Sequence, residues 1–501
     1  MKKCVIIGSG LGGLACGSIL SKNGYEVTVL EQGSQTGGCL QCFRRGNAVF
    51  ETGMHYIGSG APGQTLDTML RYMDVEPGIT LSRLNPEGYD IVSWMGTHYS
   101  LANGREQFVN ALAEHFPNSR DELFRYYDLV KQVAASSPIH SLNRNASIDT
   151  YAQYLTCSVN EVIDRLISDP ALRQVLVGTL LLYAGEKDKT PFAVHALITD
   201  SYDQSAYRIV GGSSSVADAL SNAIRNRDGK VLVRQQVVGI DCDETKATAV
   251  ITANGERFPA DLVISDIHPA KTVAMVNSRL LRPAYRRRIS SYRNTTSVFT
   301  VYLKFRKNRV KYMNSNLYYH RGDTIWGSED YDDRSWPKSL IYMHCCHDEN
   351  QEYAETGEIL TYMSFNDVEQ WQGTQVGRRG NDYEDFKRQK AETLLHCLEE
   401  EVPGILDDIE SYYTSSPLTY LDYTGTPEGA MYGIARDVNV VGTGNVACRT
   451  NVPNLLLTGQ SVTLHGMMGV LAGSLVTCSE VLTFNEVFKQ LKKHQHKGIQ
   501  V

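Results

Sequence analysis

The chain has 501 residues, 42% of them hydrophobic and 21% charged, with a net charge of −7 and a pI near 6.0. That balance suits a soluble globular chain of up to three domains and lacks the basic excess of a nucleic-acid binder, so no nucleic-acid partner is expected. The eleven cysteines are odd in number and scattered, which fits reduced thiols of the cytoplasm better than a disulfide framework.

From the amino end, Cys4-Val5-Ile6-Ile7 is short, apolar and β-branched, the pattern of a buried parallel strand. Gly8-Ser9-Gly10-Leu11-Gly12-Gly13 follows and satisfies G-x-G-x-x-G. Gly8 allows the tight turn, Gly10 lets backbone approach a pyrophosphate, and Gly13 lets the helix pack close to the strand. A helix through Leu14–Leu20 is predicted to stop at Asn23-Gly24, and a second strand, Glu26–Leu30, ends on Glu31, where an acid accepts hydrogen bonds from ribose hydroxyls. A lone glycine fingerprint is weak evidence; strand, helix, second strand and acid in the right order make dinucleotide binding the reading here. The phosphates would rest on the helix N-terminus, with Leu11, Gly12 and Gln32 flanking the contact. The apolar opening lacks the cleavage site of a secretory leader. The longest apolar run, Val175–Ala184, contains Gly178 and is too short to span a bilayer.

Gly37-Gly38-Cys39 offers a second place where backbone can lie against a ligand. Cys39-Leu40-Gln41-Cys42 forms a CxxC with three readings: packed thiols, a redox dithiol beside the cofactor, or half a zinc site. No second half-site has suitable spacing, so no metal is assigned. Phe50-Glu51-Thr52-Gly53-Met54-His55-Tyr56-Ile57-Gly58 brackets a histidine with glycines; His55 either faces the cofactor ring or is a hydrogen-bonded core histidine.

On Gly37-Gly38-Cys39 and the Phe50–Gly58 segment, which fits F-[DE]-T-G-x-H-Y-x-G, the chain resembles the phytoene desaturase-like members of the amine oxidase flavoprotein superfamily, and within them the retinol saturase and carotenoid isomerase branch. Pro191–Leu197 with Tyr207 and Gly211-Gly212, and Gly425–Gly433, are similar to further patterns of that branch. The resemblance implies an α/β fold: a Rossmann-like FAD/NAD(P)-binding domain with an inserted α+β substrate domain. It implies FAD, with NAD(P) as an electron donor or acceptor. It also implies hydride transfer between flavin and a carbon–carbon bond of an apolar isoprenoid, with redox-neutral isomerisation or non-catalytic lipid binding as alternatives. His195 then becomes a pocket residue or a structural helix histidine.

The remaining elements follow from pattern. Residues 65–204 read as helical, with Phe108–Leu112 and Leu123–Val130 at helical spacing. Leu172–Tyr183 reads as one apolar helix that packs in the core, lines a lipid tunnel or lies on a membrane surface. A helix from Ser215 to Asn226, a strand at Lys230–Val233, a strand at Val237-Val238 able to pair with an adenine edge, and a hairpin about Asn254-Gly255 come next. A buried strand, Ala260–Asp266, carries Ser265. Ser297–Leu303 alternates as a half-buried strand, with further strands at Leu317–Tyr319, Leu340–Met343 and Ile359–Met363. Arg282, Arg286, Arg287 and Arg288 form a basic cluster, a solvated face by default and an anionic-lipid contact otherwise. Gly442–Ala447 fits G-x-G-x-x-A but lacks the following strand and acid. Asn454–Gln460 is a last buried strand ending at Gly459-Gln460. His465-Gly466-Met467-Met468-Gly469 opens a final helix resembling the superfamily's carboxyl-terminal flavin motif, whose N-terminus faces the flavin pyrimidine. The tail Lys489–Lys497 reads as a basic helix end. Domain segments of 1–64, 205–285 and 426–501 for FAD, and 65–204 and 286–425 for substrate, complete the expectation. His55, His195 and His465 are the ranked proton-donor candidates.

Overall fold

A computed structural model of the chain describes residues 1–440 and 446–495. The glycine pattern at 442–447 and the tail to Lys497 fall partly outside them.

Five strands form a parallel sheet in the order Lys230–Leu232, Glu26–Leu30, Lys3–Ile7, Leu262–Ser265, Leu455–Leu457. Its middle strand is apolar on both faces because both are covered: helices pack on Cys4 and Ile6, and the three-stranded sheet of Val237–Cys242, Ala247–Thr252 and Arg257–Pro259 packs on the side of Val5 and Ile7. The fingerprint helix, Leu11–Lys22, packs against helices Ser214–Arg225 and Gly466–Leu482. A Cβ on Gly17 would stand 2.6 Å from Ile224 Cδ1, so the two helices pack closely there. The carboxyl-terminal helix is tied to the loop itself: Ser474 Oγ donates to the Gly12 carbonyl at 3.2 Å. From the middle strand the chain passes to Glu26–Leu30 on one side and returns much later as Leu262–Ser265 on the other. A crevice opens beyond the carboxyl ends of the strands at that reversal.

The second sheet has seven strands in the order Ile409–Ser415, Ser297–Phe305, Thr356–Met363, Ser339–His344, Asn316–His320, Asp90–Trp94, Thr97–Leu101. All neighbours are antiparallel except Asn316–His320 with Asp90–Trp94. Ser297–Phe305 is not half-buried as its alternation suggested. Both its faces are covered, one by the cluster around helices Arg120–Ala135 and Phe192–Gln204, the other by helix Asn381–Glu401. Ile341 and Met343 face the first cluster; Leu340 and Tyr342 face the second.

Two further expectations are corrected. Leu172–Tyr183 is not one helix: Pro170–Leu176 ends before Gly178, and a short turn of 3-10 helix, Leu180–Leu182, follows. A Cβ on Gly178 would lie 2.5 Å from Val92 Cγ2, so close packing on the sheet breaks the run. Arg286 is not a solvated cluster member. Its guanidinium donates to the carbonyls of Val273, Val276, Ser278 and Leu281 and closes off helix Pro269–Met275. Among the described residues no helix is long and apolar enough to cross a membrane.

Candidate functional site

A cavity of about 210 Å³ occupies the crevice at the strand ends. Gly8, Gly10, Leu11 and Gly12 line one wall and Glu31 and Gln32 another. Gly8 has φ +93°, as the turn into the helix demands. Gly13 stands behind the loop, where a Cβ would be 2.3 Å from the Gly8 carbonyl oxygen. Glu31 is buried, and its carboxylate braces the loop: Oε2 accepts from Ser9 N (3.1 Å) and Ser9 Oγ (2.6 Å), Oε1 from Gly33 N (2.7 Å). Gly37, Gly38 and Cys39 close the floor. The Gly37 amide donates to the Ser9 carbonyl at 2.9 Å, and Gly38 approaches so near that a Cβ would be 3.3 Å from Gly10 Cα. Burial, with Asp266 adding to it, pushes the Cys39 thiol up to about 11, so it is held as a thiol rather than a reactive thiolate. All eleven cysteines are free.

Val237 lines the crevice with Gln235, whereas Val238 turns outward and is 50% exposed. Alternation along the strand sends neighbours to opposite faces, which the paired expectation ignored. Ser265 is fully buried, sharing a 2.7 Å hydrogen bond with Thr272 Oγ1, and does not line the crevice. The next residue, Asp266, does. Its carboxyl is wedged among the glycines: Cβ atoms on Gly10 and Gly12 would lie 2.6 and 2.4 Å from its two oxygens. Burial, helped by Glu31 and opposed by the Gly13 N–H, raises it to about 7. Sequence reading passed over Asp266, although a carboxylate closing an apolar strand beside the fingerprint was a visible signal.

From the carboxyl end, Gly459, Gln460, Gly466 and Met467 complete the crevice, and Gly466 begins helix Gly466–Leu482. Met468 and Gly469 face a second cavity of about 410 Å³. This one is apolar, walled by Leu197, Ile198, Ile341, Met343 and Leu360. The two cavities share Gly53, Met54, Met431, Tyr432, Gly466 and Met467 and therefore meet.

Two of the three candidate histidines stand in that second cavity. His55 places Nδ1 3.0 Å from Glu358 Oε2 and 4.0 Å from Glu51 Oε2, while Nε2 has no hydrogen-bond partner among the described residues. Burial pulls the ring's pKa down, but Glu358 and then Glu51 outweigh it and leave His55 above the ordinary histidine value. His465 packs its ring 4.7 Å from that of Tyr432; burial, aided by Arg436, lowers it to about 3 and keeps it neutral. His195 is apart from both cavities. Tyr126 Oη lies 2.7 Å from its Nε2 and Tyr183 Oη 2.9 Å from its Nδ1, and burial lowers it to about 4, the geometry of the structural helix histidine.

Residues 11–482 match the family of flavin containing amine oxidoreductases. The chain belongs to that family. It is similar to all-trans-retinol 13,14-reductase of Rattus norvegicus, 28% identical over 96% of this chain and 86% of the relative. It is 21% identical to prolycopene isomerase 1 of an Oncidium hybrid cultivar, over 87% of this chain and 76% of the relative. In fold it superposes on a solved oxidoreductase from Methanosarcina mazei with a TM-score of 0.66 and 18% identity, covering 95% of this chain and 99% of the other.

The residues of this flavin containing amine oxidoreductase fit FAD. At Gly10, Gly12 and Gly13 no Cβ could be added without striking the Asp266 carboxyl or the Gly8 carbonyl, so the loop presents backbone there. The start of helix Leu11–Lys22 supplies free N–H groups for a diphosphate, and Glu31 supplies the acid beside it.

Proposed function

We propose that this protein reduces a carbon–carbon double bond of an apolar isoprenoid, of retinoid or carotenoid kind. The observation that carries the reading is the common wall between the glycine-lined crevice and the 410 Å³ apolar cavity. Its likeness to a retinol reductase and to a carotenoid isomerase supports the substrate class. FAD, when bound, supplies hydride. The chain's own groups do the rest. Apolar side chains hold the polyene and exclude water. The N-terminus of helix Gly466–Leu482, at the junction, stabilises negative charge on the isoalloxazine ring. His55, a residue of the cavity lining whose buried Nε2 has no hydrogen-bond partner among the described residues, donates the proton. His465, held neutral, packs the wall with Tyr432. On this reading segments 1–64, 205–285 and 426–501 hold the flavin, and 65–204 and 286–425 hold the substrate.

The test is anaerobic mixing of the reduced, FAD-loaded protein with retinoids and carotenoids. One double bond lost per flavin reoxidised is the expected result. Rearranged double-bond geometry with the flavin still reduced would make it an isomerase instead. Run with NADH, NADPH or dithionite, the same assay identifies the electron donor.

A further inference from the structure

Behind His55 lie two buried carboxyl groups that the reading above leaves unused. Glu358 sits within strand Thr356–Met363 and is 1% exposed; Glu51 ends strand Ala48–Glu51 and is 5% exposed. They are linked: the Glu51 amide donates to Glu358 Oε1 at 2.9 Å, and both carboxyls approach the same nitrogen of His55. Glu51 Oε1 accepts from the Ser213 amide at 3.0 Å, just past the Gly211-Gly212 turn. A buried carboxylate is costly unless paired, and two side by side cannot both ionise cheaply.

We propose that Glu358 and Glu51 are positioning residues that hold His55 as the proton-bearing imidazolium with its Nε2–H turned to the apolar cavity. The inference rests on the reading of His55 as proton donor. Glu358 is the ionised partner on Nδ1. Glu51 is carried as the neutral acid, so that the three groups together have no net charge. Burial, with Glu358 adding and His55 opposing, raises Glu51 to about 8, in keeping with that role.

The other groups facing the cluster are Arg208, the thiols of Cys42, Cys345 and Cys346, the phenols of Tyr302 and Tyr420, and His347. Burial raises the thiols and phenols and lowers His347, which keeps all of them neutral. Arg208 gives its hydrogen bonds to neutral groups, Tyr312 Oη, the carbonyls of Met313 and Ser315, and Asn316 Oδ1, and its charge reaches the cluster, lowering both Glu51 and His55.

The reaction balances. As the π bond breaks, one carbon takes a hydride, with both electrons, from reduced FAD, which becomes oxidised. The adjacent carbon takes the proton from Nε2. The imidazole that remains keeps its Nδ1–H beside Glu358, whose Oε2 is 3.0 Å from Nδ1, and Nε2 regains a proton from water before the next turnover.

The experiment follows the ring nitrogens of His55 by ¹⁵N NMR in the FAD-loaded protein, assigned by the signal lost in His55→Gln, beside steady-state rates. In Glu358→Gln we expect the His55 pKa to fall by at least about one unit, a tenfold change in acidity. We expect kcat to fall about 100-fold with KM little changed, and Glu358→Asp to recover part of both. In Glu51→Gln the acid can no longer ionise beside the ring, so the alkaline limb of kcat moves to lower pH. An unmoved His55 titration in Glu358→Gln overturns the proposal while leaving His55 as donor intact. A normal rate in His55→Gln overturns the donor reading and this inference with it. If Glu358→Gln does not fold, ¹³C-glutamate spectra of the wild type decide. One of the two carboxyls protonated and the other ionised at pH 7 supports the proposal; both in the same state refutes it.

Discussion

The crevice and the apolar cavity share a wall and are built by opposite means. Glycines shape the crevice: Gly12 and Gly38 let main chain lie against main chain, Gly10 makes room for the Asp266 carboxyl, and two short strands and a helix from one local stretch supply its first wall. Side chains make the cavity. They come from helix Phe192–Gln204, from strands Ser339–His344 and Thr356–Met363, and from the turn before helix Gly466–Leu482. A ligand shared by a large family needs the first kind of site, where geometry is fixed and chemistry is general. A particular substrate needs the second, where each side chain can vary without disturbing the sheet beneath.

The sharpest break of that contrast is Gly13→Val. The new side chain begins 2.3 Å from a carbonyl oxygen that cannot move without opening the turn. Purified protein should be colourless and fail to take up FAD; a yellow variant would show that the loop is not rigid backbone. On the cavity side, Ile341→Asn places an amide without partners in an apolar wall, costing about 1–3 kcal/mol. FAD content should stay at one per chain while kcat/KM for the polyene falls about 10–100-fold, and loss of FAD instead would mean the two sites are not separable. The smallest effect is on pH. His195 has a folded-state pKa of about 4, below the ordinary histidine value, so the unfolded chain binds its proton first. Its contribution is intact above about pH 6.5 and is lost as pH falls towards 4, by about 1.4 kcal/mol per unit crossed. Urea midpoints between pH 7 and pH 5 should drop less in His195→Gln than in wild type. An identical slope would mean that His195 is not held neutral.

The crevice was legible because its signal is local: strand, glycines, helix and acid follow one another within the first 31 residues. The flavin motif at Gly466 was legible as a resemblance. The support behind His55 was not. Glu358 meets Glu51 across 307 residues of chain, and nothing near Glu51 announces its partner. The one available hint was a carboxylate inside the apolar run Glu358-Ile359-Leu360, a residue that a buried strand carries only if something answers it. Val238 and Ser265 were expected at the crevice because strands were read as segments rather than as alternating faces; of the expected pair only Val237 lines it, and Asp266 stands there in place of Ser265. The break at Gly178 depended on Val92, a contact that periodicity within Leu172–Tyr183 does not encode.

The parallel sheet takes its fifth strand from Leu455–Leu457, and the glycine loop is tied to Ser474. A ribosome adding about 5–20 residues per second therefore displays the amino-terminal strand–helix–strand unit of this sheet for roughly 20–90 s before its closing pieces emerge. Cofactor loading must wait for release of nearly the whole polypeptide. In the last part of that interval, after Leu262–Ser265 has emerged and before Leu455–Leu457 has, its bare edge is a place where chaperones, or neighbouring nascent chains, compete with the strand that belongs there.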